Sequence, residues 1–194
     1  MITLNQTEYS SHGAVVASLI IERKLEKVAE IGVLRGRCTR TILRSPANQI
    51  IKDYIAIDPW RVWSTPNAAP WVWEYPQEYW DYYYKSTVKY MPWFPQLRVI
   101  KLPSLEAAPL FMDGYFDLVY IDGDHSYDAV IADIKAWMPK VRNGGILCGH
   151  DYRGLVNSGE TTDCQNVILA VDDFFGDKKT LLPYTIWAVE VPVQ

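Results

Sequence analysis

The stretch FDLVYIDGDHSYDAVIADIKAWMPKVRNGGILCGHDY, residues 116–152, places acids and imidazoles at the ends of two apolar runs. Asp122, Asp124 and His125 follow the first run, and His150 and Asp151 follow the second. Carboxylates and imidazoles are the side chains that hold divalent cations or move protons near neutral pH. In a metal reading, Asp122, His150 and Asp151 form the ligand set. Oxygen ligands suit Mg²⁺, whereas an imidazole suits Mn²⁺, Fe²⁺ or Zn²⁺ better. In a metal-free reading, His125 or His150 is a general base oriented by Asp124 or Asp151, and Asp122 aligns the reacting group. Asp124 also fits a simpler role, capping a helix that begins near Ser126, and that role is favoured for it. His12 reads as a helix-start residue, and Asp128 and Asp133 as solvated positions on the following helix.

A second set lies upstream. The run E-I-G-V-L-R-G carries Glu30, Gly32 and Gly36, and Asp58 follows 28 residues after Glu30. A dinucleotide site would show G-x-G-x-x-G, so that a pyrophosphate can approach a helix N-terminus. That spacing is absent. An acid beside the first glycine would repel a pyrophosphate and suits an ammonium or sulfonium group instead. Asp58 is placed to accept the hydroxyls of a ribose. A glycine turn, a ribose carboxylate and no phosphate clamp fit S-adenosylmethionine better than NAD.

These residues need strand ends to hold them, and the pattern supplies such ends. Residues 11–27 read as an amphipathic helix capped by Ser10 or Ser11. Short apolar runs at 28–33, 53–60, 97–102, 116–122, 144–151 and 185–191 read as strands. Helices are expected at 37–45, 104–111, 126–141 and 164–176, the third with Ala129, Ile131, Ala132, Ile134 and Trp137 on one side. Alternating strand and helix predict an α/β domain over 1–194, with a mostly parallel sheet covered on both faces. Ligands of such sheets bind beyond the carboxyl ends of the strands. Glu30, Gly32, Asp58, Ser104, Asp122, His150 and Asp151 all fall there.

Residues 60–95 interrupt this order and are too long for a plain connection. They hold six of the eight tryptophans and six of the thirteen tyrosines. They read as a packing segment, a subunit contact that would make a homo-oligomer, or a substrate lid. Trp71 and Trp73 are the positions at which charge would break such a contact.

The composition excludes other classes. A net charge of −4 and a pI near 5.4 speak against a nucleic-acid binder. No apolar run approaches the roughly 20 residues of a membrane span, and no secretory leader pattern is visible. Cys38, Cys148 and Cys164 form neither a pairing framework nor a metal motif, which predicts reduced thiols and a cytoplasmic protein.

The chain resembles class I S-adenosylmethionine-dependent methyltransferases. It is most similar to a small bacterial group with macrolide sugar O-methyltransferases and cephalosporin-hydroxylase-like proteins. AEIGVLRGRCT resembles the first motif, YIAIDPW the second, KLPSLEAA the adenine-side segment, and residues 116–152 the most specific signature. The resemblance implies a Rossmann-like fold. It assigns cofactor contacts to Glu30, Gly32, Gly36, Asp58, Ser104 and Asp122, and implies O-methylation of a small sugar or phenolic acceptor, with Mg²⁺ or another divalent metal as an option. The family's C-terminal antiparallel hairpin is hard to place in so short a C-terminus. The rival readings are a nucleotide-cofactor oxidoreductase and a non-catalytic binding protein on the same fold.

Overall fold

The structure is a computed structural model that describes residues 2, 4, 9–62, 75–152 and 164–192, without the side chain of Cys164. The strands are β1 (Lys27–Ile31), β2 (Asp53–Ile57), β3 (Leu97–Ile100), β4 (Phe116–Ile121), β5 (Val141–Gly149), β6 (Thr180–Leu182) and β7 (Ile186–Glu190). They form one sheet in the order β3-β2-β1-β4-β5-β7-β6. The first five run parallel, and β7 is antiparallel to both β5 and β6. This is the expected mostly parallel α/β sheet. The C-terminal hairpin is present after all: β6 is three residues long and had no alternating pattern to announce it.

The helices are α1 (His12–Arg23), α2 (Arg37–Leu43), α3 (Gln77–Val88), α4 (Ser104–Ala107), α5 (Tyr127–Trp137) and α6 (Cys164–Phe175). Side chains alternate across a strand, so each central strand feeds two cores. Val28, Leu118 and Ile146 pack with Val16, Leu19, Ile20 and Ile42 of α1 and α2 on one face. Ala29, Val119 and Leu147 pack with Val130, Ile134 and Val171 of α5 and α6 on the other. Ser11 caps α1 by accepting from the Ala14 amide, and Lys24 ends the helix in a left-handed conformation.

Two elements differ from expectation. In α5 the buried residues are Val130, Asp133, Ile134 and Trp137, a regular i, i+3, i+4, i+7 stripe. Asp133 is therefore a core-facing residue, not a solvated one. The aromatic segment contributes α3, which buries Trp80, Tyr83 and Thr87 against its own chain. Residues 63–74, with Trp71 and Trp73, lie outside the described residues.

Two glycines allow the strand tips to meet. A Cβ on Gly32, at φ 86°, would sit 2.1 Å from the Asp122 carbonyl oxygen. A Cβ on Gly149 would fall 2.5 Å from the Trp187 ring. Side chains at either place would force apart β1 and β4, or β5 and β7. No helix of the described residues is long and apolar enough to cross a membrane.

Candidate active site

At the carboxyl ends of β1, β2 and β4 lies a cavity of about 610 Å³. The topology explains its place: β1 is flanked by β2 on one side and β4 on the other, so the chain crosses over in opposite directions beside it. Glu30, Gly32, Asp58, Ser104, Asp122 and His125 line it, as do two residues that the sequence left out of the site, His12, which does start α1, and Asp133. Gly36 opens α2 at φ 64°, with room for nothing larger, because a Cβ would come 2.8 Å from the Thr87 hydroxyl.

β4 and β5 are neighbours, with Ile121 beside Gly149. Their continuations bring the two acidic tips together. The His150 amide donates to the Ile121 carbonyl (3.1 Å), after which Asp151 turns at φ 58°. A non-glycine residue in that region is costly and marks a constrained site. His125 Nε2 lies 3.2 Å from Asp151 Oδ2 and 3.9 Å from Asp122 Oδ1. His150 Nδ1 lies 3.2 Å from Asp151 Oδ2 and 3.5 Å from Asp122 Oδ1. The Tyr120 hydroxyl donates to Asp122 Oδ2 at 3.2 Å. His12, from the start of α1, packs against the His150 ring with centroids 4.5 Å apart. All three histidines of the chain thus meet here. Sequence reasoning missed His12, because nothing local to it reveals that α1 begins against the β5 tip.

Charge dominates this cluster. Burial opposes ionisation of Asp122, but hydrogen bonds from His125 and His150 hold its carboxyl well below the usual range. Asp151 is likewise held down against burial, first by His150. Burial also opposes the His150 imidazolium, yet Asp122 and Asp151 outweigh it and push His150 up to about 9. His12 moves the other way, lowered by burial and by His150. At neutral pH His150 is therefore a cation between two carboxylates.

Donor atoms of Asp122, His125 and Asp151 all lie within 4.8 Å of one another, a spacing that a single divalent cation can bridge. The expected set held His150 where this trio holds His125; His150 stands beside the same two carboxylates. Two carboxylate oxygens and one imidazole nitrogen fit Mn²⁺, Fe²⁺ or Zn²⁺ better than the all-oxygen preference of Mg²⁺. Asp124 does not cap the helix as expected: the N-cap of α5 is Ser126, and Asp124 Oδ1 accepts from the Ser126 amide at 2.8 Å in the turn just ahead of it.

The other end of the cavity is built from hydrogen bonds. Asp58 Oδ2 accepts from the amides of Val33 (3.0 Å) and Leu34 (2.9 Å), and Oδ1 from Trp60 (2.7 Å). Each carboxylate oxygen has two lone pairs, so among the described residues one on Oδ1 stays open. Burial raises the Asp58 carboxyl, and these amides oppose it. Glu30 is fully buried and takes the hydroxyls of Thr39 (2.5 Å) and Tyr54 (2.6 Å). It ties β1 to α2 and β2. Burial pushes its carboxyl up to about 7, against those two donors.

A buried acid raised in this way stabilises the fold while protonated. Its contribution is present below the ordinary carboxyl pKa of 4.5 and is lost as pH rises through about 7. Glu30→Gln should flatten that loss: its urea midpoint falls less than the parent's between pH 5 and pH 7.5. Parallel midpoints for the two proteins would contradict the assignment.

Residues 29–152 match the methyltransferase domain family. The chain belongs to that family. The match covers well over half of the chain and runs from β1 to just past the second acidic tip. It takes in Glu30, Gly32, Asp58, Ser104, Asp122, His125, His150 and Asp151 together. Among solved structures, a methyltransferase from Podospora anserina with S-adenosylhomocysteine bound superposes with TM-score 0.66 at 14% identity, over 95% of this chain and 80% of that one. The O-methyltransferase TomG from Streptomyces achromogenes, involved in tomaymycin synthesis and bound to S-adenosylmethionine, gives 0.61 at 11% identity, over 95% and 82%. At such identities the likeness concerns the fold, which is that of class I methyltransferases. An uncharacterized protein of Acanthamoeba polyphaga mimivirus is 27% identical over 145 residues, 73% of this chain. The chain spans 58% of that viral protein's length.

Proposed function

We propose that this methyltransferase domain transfers a methyl group from S-adenosylmethionine to a hydroxyl oxygen of a small molecule such as a sugar or phenol. One observation carries the reading: the strand-tip cluster of Asp122 and His125 opens into the same cavity as the Gly32 turn and Asp58. A cofactor seated along β1 and β2 would present its reactive end to that cluster.

The residues divide the work. The Gly32 turn lets the chain pass close to a ligand, and the open lone pair of Asp58 Oδ1 accepts one ribose hydroxyl. Methyl transfer requires the acceptor oxygen to stand in line behind the methyl carbon, and holding it there supplies much of the rate. Asp122 and Asp151, fixed by Tyr120 and the histidines, are the groups that can orient the hydroxyl and favour its deprotonation. His125 lines the cavity, so it is the imidazole placed to meet an acceptor hydroxyl there. Asp122, Asp151 and His125 would hold a divalent cation, which would supply a Lewis acid that lowers the hydroxyl's pKa. The free, buried Cys38 and Cys148 fit a reducing, cytoplasmic setting.

Arg35 donates to the Tyr79 hydroxyl at 3.0 Å, and Trp60 Nε1 to the Leu34 carbonyl at 2.9 Å, so the aromatic segment is fastened to the glycine loop. A ligand entering the cavity should therefore change the surroundings of Trp60 and Trp80. Calorimetry with S-adenosylhomocysteine tests the cofactor assignment. One-to-one binding with a shift in tryptophan emission is expected; no heat and no shift would remove S-adenosylmethionine from the account.

A further inference from the structure

On the wall of the cavity stands a carboxyl to which the mechanism gives no task. Asp133 is 5% exposed, in the middle of α5. Its Oδ1 accepts from the Ser104 hydroxyl at 2.5 Å, and Ser104 Oγ accepts from Trp137 Nε1 at 2.8 Å. Trp137 is fully buried, so this chain of donors is anchored in the core and fixes the carboxyl's rotation. Ser104 and Asp133 both line the cavity. Oδ2 lies over Gly123, where an added Cβ would approach it to 3.6 Å. No hydrogen bond to Oδ2 occurs among the described residues. Burial pushes the carboxyl up to about 7, although Ser104 works against it. A buried carboxyl with one oxygen unsatisfied costs free energy unless a ligand supplies the missing donor.

The walls around it suit a flat heterocycle. Ala129, one turn before Asp133 on the same helix, and Ala132, its immediate neighbour, are small, and Ile57, Pro59 and Leu105 are apolar. We propose that Asp133 is a specificity-determining residue, which accepts a hydrogen bond from the exocyclic amino group of the cofactor's adenine and is positioned for it by Ser104 and Trp137. This rests on the reading of S-adenosylmethionine as the cofactor. It also gives the small residues of α5 a reason, since a larger side chain at 129 or 132 would fill the space of the base.

The test, run at about pH 8.5 so that a carboxyl raised to about 7 is ionised, compares S-adenosylhomocysteine with S-inosylhomocysteine, in which a keto oxygen replaces the amino group and would face the carboxylate as a second acceptor. The parent protein should prefer the adenine compound by on the order of 10- to 100-fold, the range of one hydrogen bond to a charged group. Asp133→Asn offers an amide that can donate to the keto oxygen, so the preference should shrink to about threefold or less. Ser104→Ala, which frees the carboxyl to rotate, should lower it part of the way. Circular dichroism establishes folding of each variant. If Asp133→Asn does not fold, the parent's preference and that of Ser104→Ala decide. Equal affinities in the parent, or an undiminished preference in the folded variants, would overturn the inference alone. A folded parent that binds neither compound would overturn the cofactor reading and this inference with it.

Discussion

Asp122→Asn should lower methyl transfer by on the order of 10²- to 10⁴-fold, while changing the affinity for S-adenosylhomocysteine by less than about tenfold. The substitution keeps the shape of the side chain and its bond from Tyr120. It removes the negative charge that faces both His125 and His150. Asp122 is the best placed of the acids to orient a hydroxyl, because it closes the β4 tip beside the cavity. A loss confined to turnover at saturating substrate is the mark of an interaction made in the transition state and not in binding. Rate measurements at saturating acceptor, paired with calorimetry, separate the two. Turnover within about tenfold of the parent would reduce the two tips to structural caps, since general acid–base assistance is worth more than that.

Removal of divalent metal should have a comparable effect. If Asp122, His125 and Asp151 hold a cation, exhaustive chelation lowers turnover by about 100-fold or more, and Mn²⁺ restores it better than Mg²⁺. The same ion should raise stability by about 2.7 kcal/mol when supplied at 100 times its dissociation constant. That gain should vanish in Asp151→Asn, which tells coordination in this cluster from weak binding elsewhere. Indifference to chelation would assign proton removal to His125, and His125→Ala would then carry the large loss.

Much of this site was legible in the sequence for simple reasons. Parallel strands covered on both faces read as continuous apolar runs, so β1, β2, β4 and β5 and their acidic tips were plain. Their adjacency followed from the fold and is borne out by the pairing of Ile121 with Gly149. What escaped depended on distant packing. His12 sits more than 130 residues from His150, and only the docking of α1 joins them. The helix α3 hides in a run where aromatic residues on every face blur the 3.6-residue period, although its buried Trp80, Tyr83 and Thr87 keep the spacing. Asp133 was misjudged for its polarity. Its position three residues after Val130 and four before Trp137 already put it on the buried stripe. Asp58 was expected to receive both ribose hydroxyls, but three backbone amides claim most of its lone pairs, a demand set by the glycine loop's path.

The central claim is that this cavity moves a methyl group from sulfur to oxygen. The most direct measurement incubates the metal-loaded protein with S-adenosylmethionine labelled in its methyl group and a panel of hydroxylated sugars and phenols, and maps the label in the products. The account predicts S-adenosylhomocysteine and an O-methyl product in equal amounts, both strongly reduced in Asp122→Asn. Label found on nitrogen or carbon acceptors, or transfer undiminished in Asp122→Asn, would contradict it.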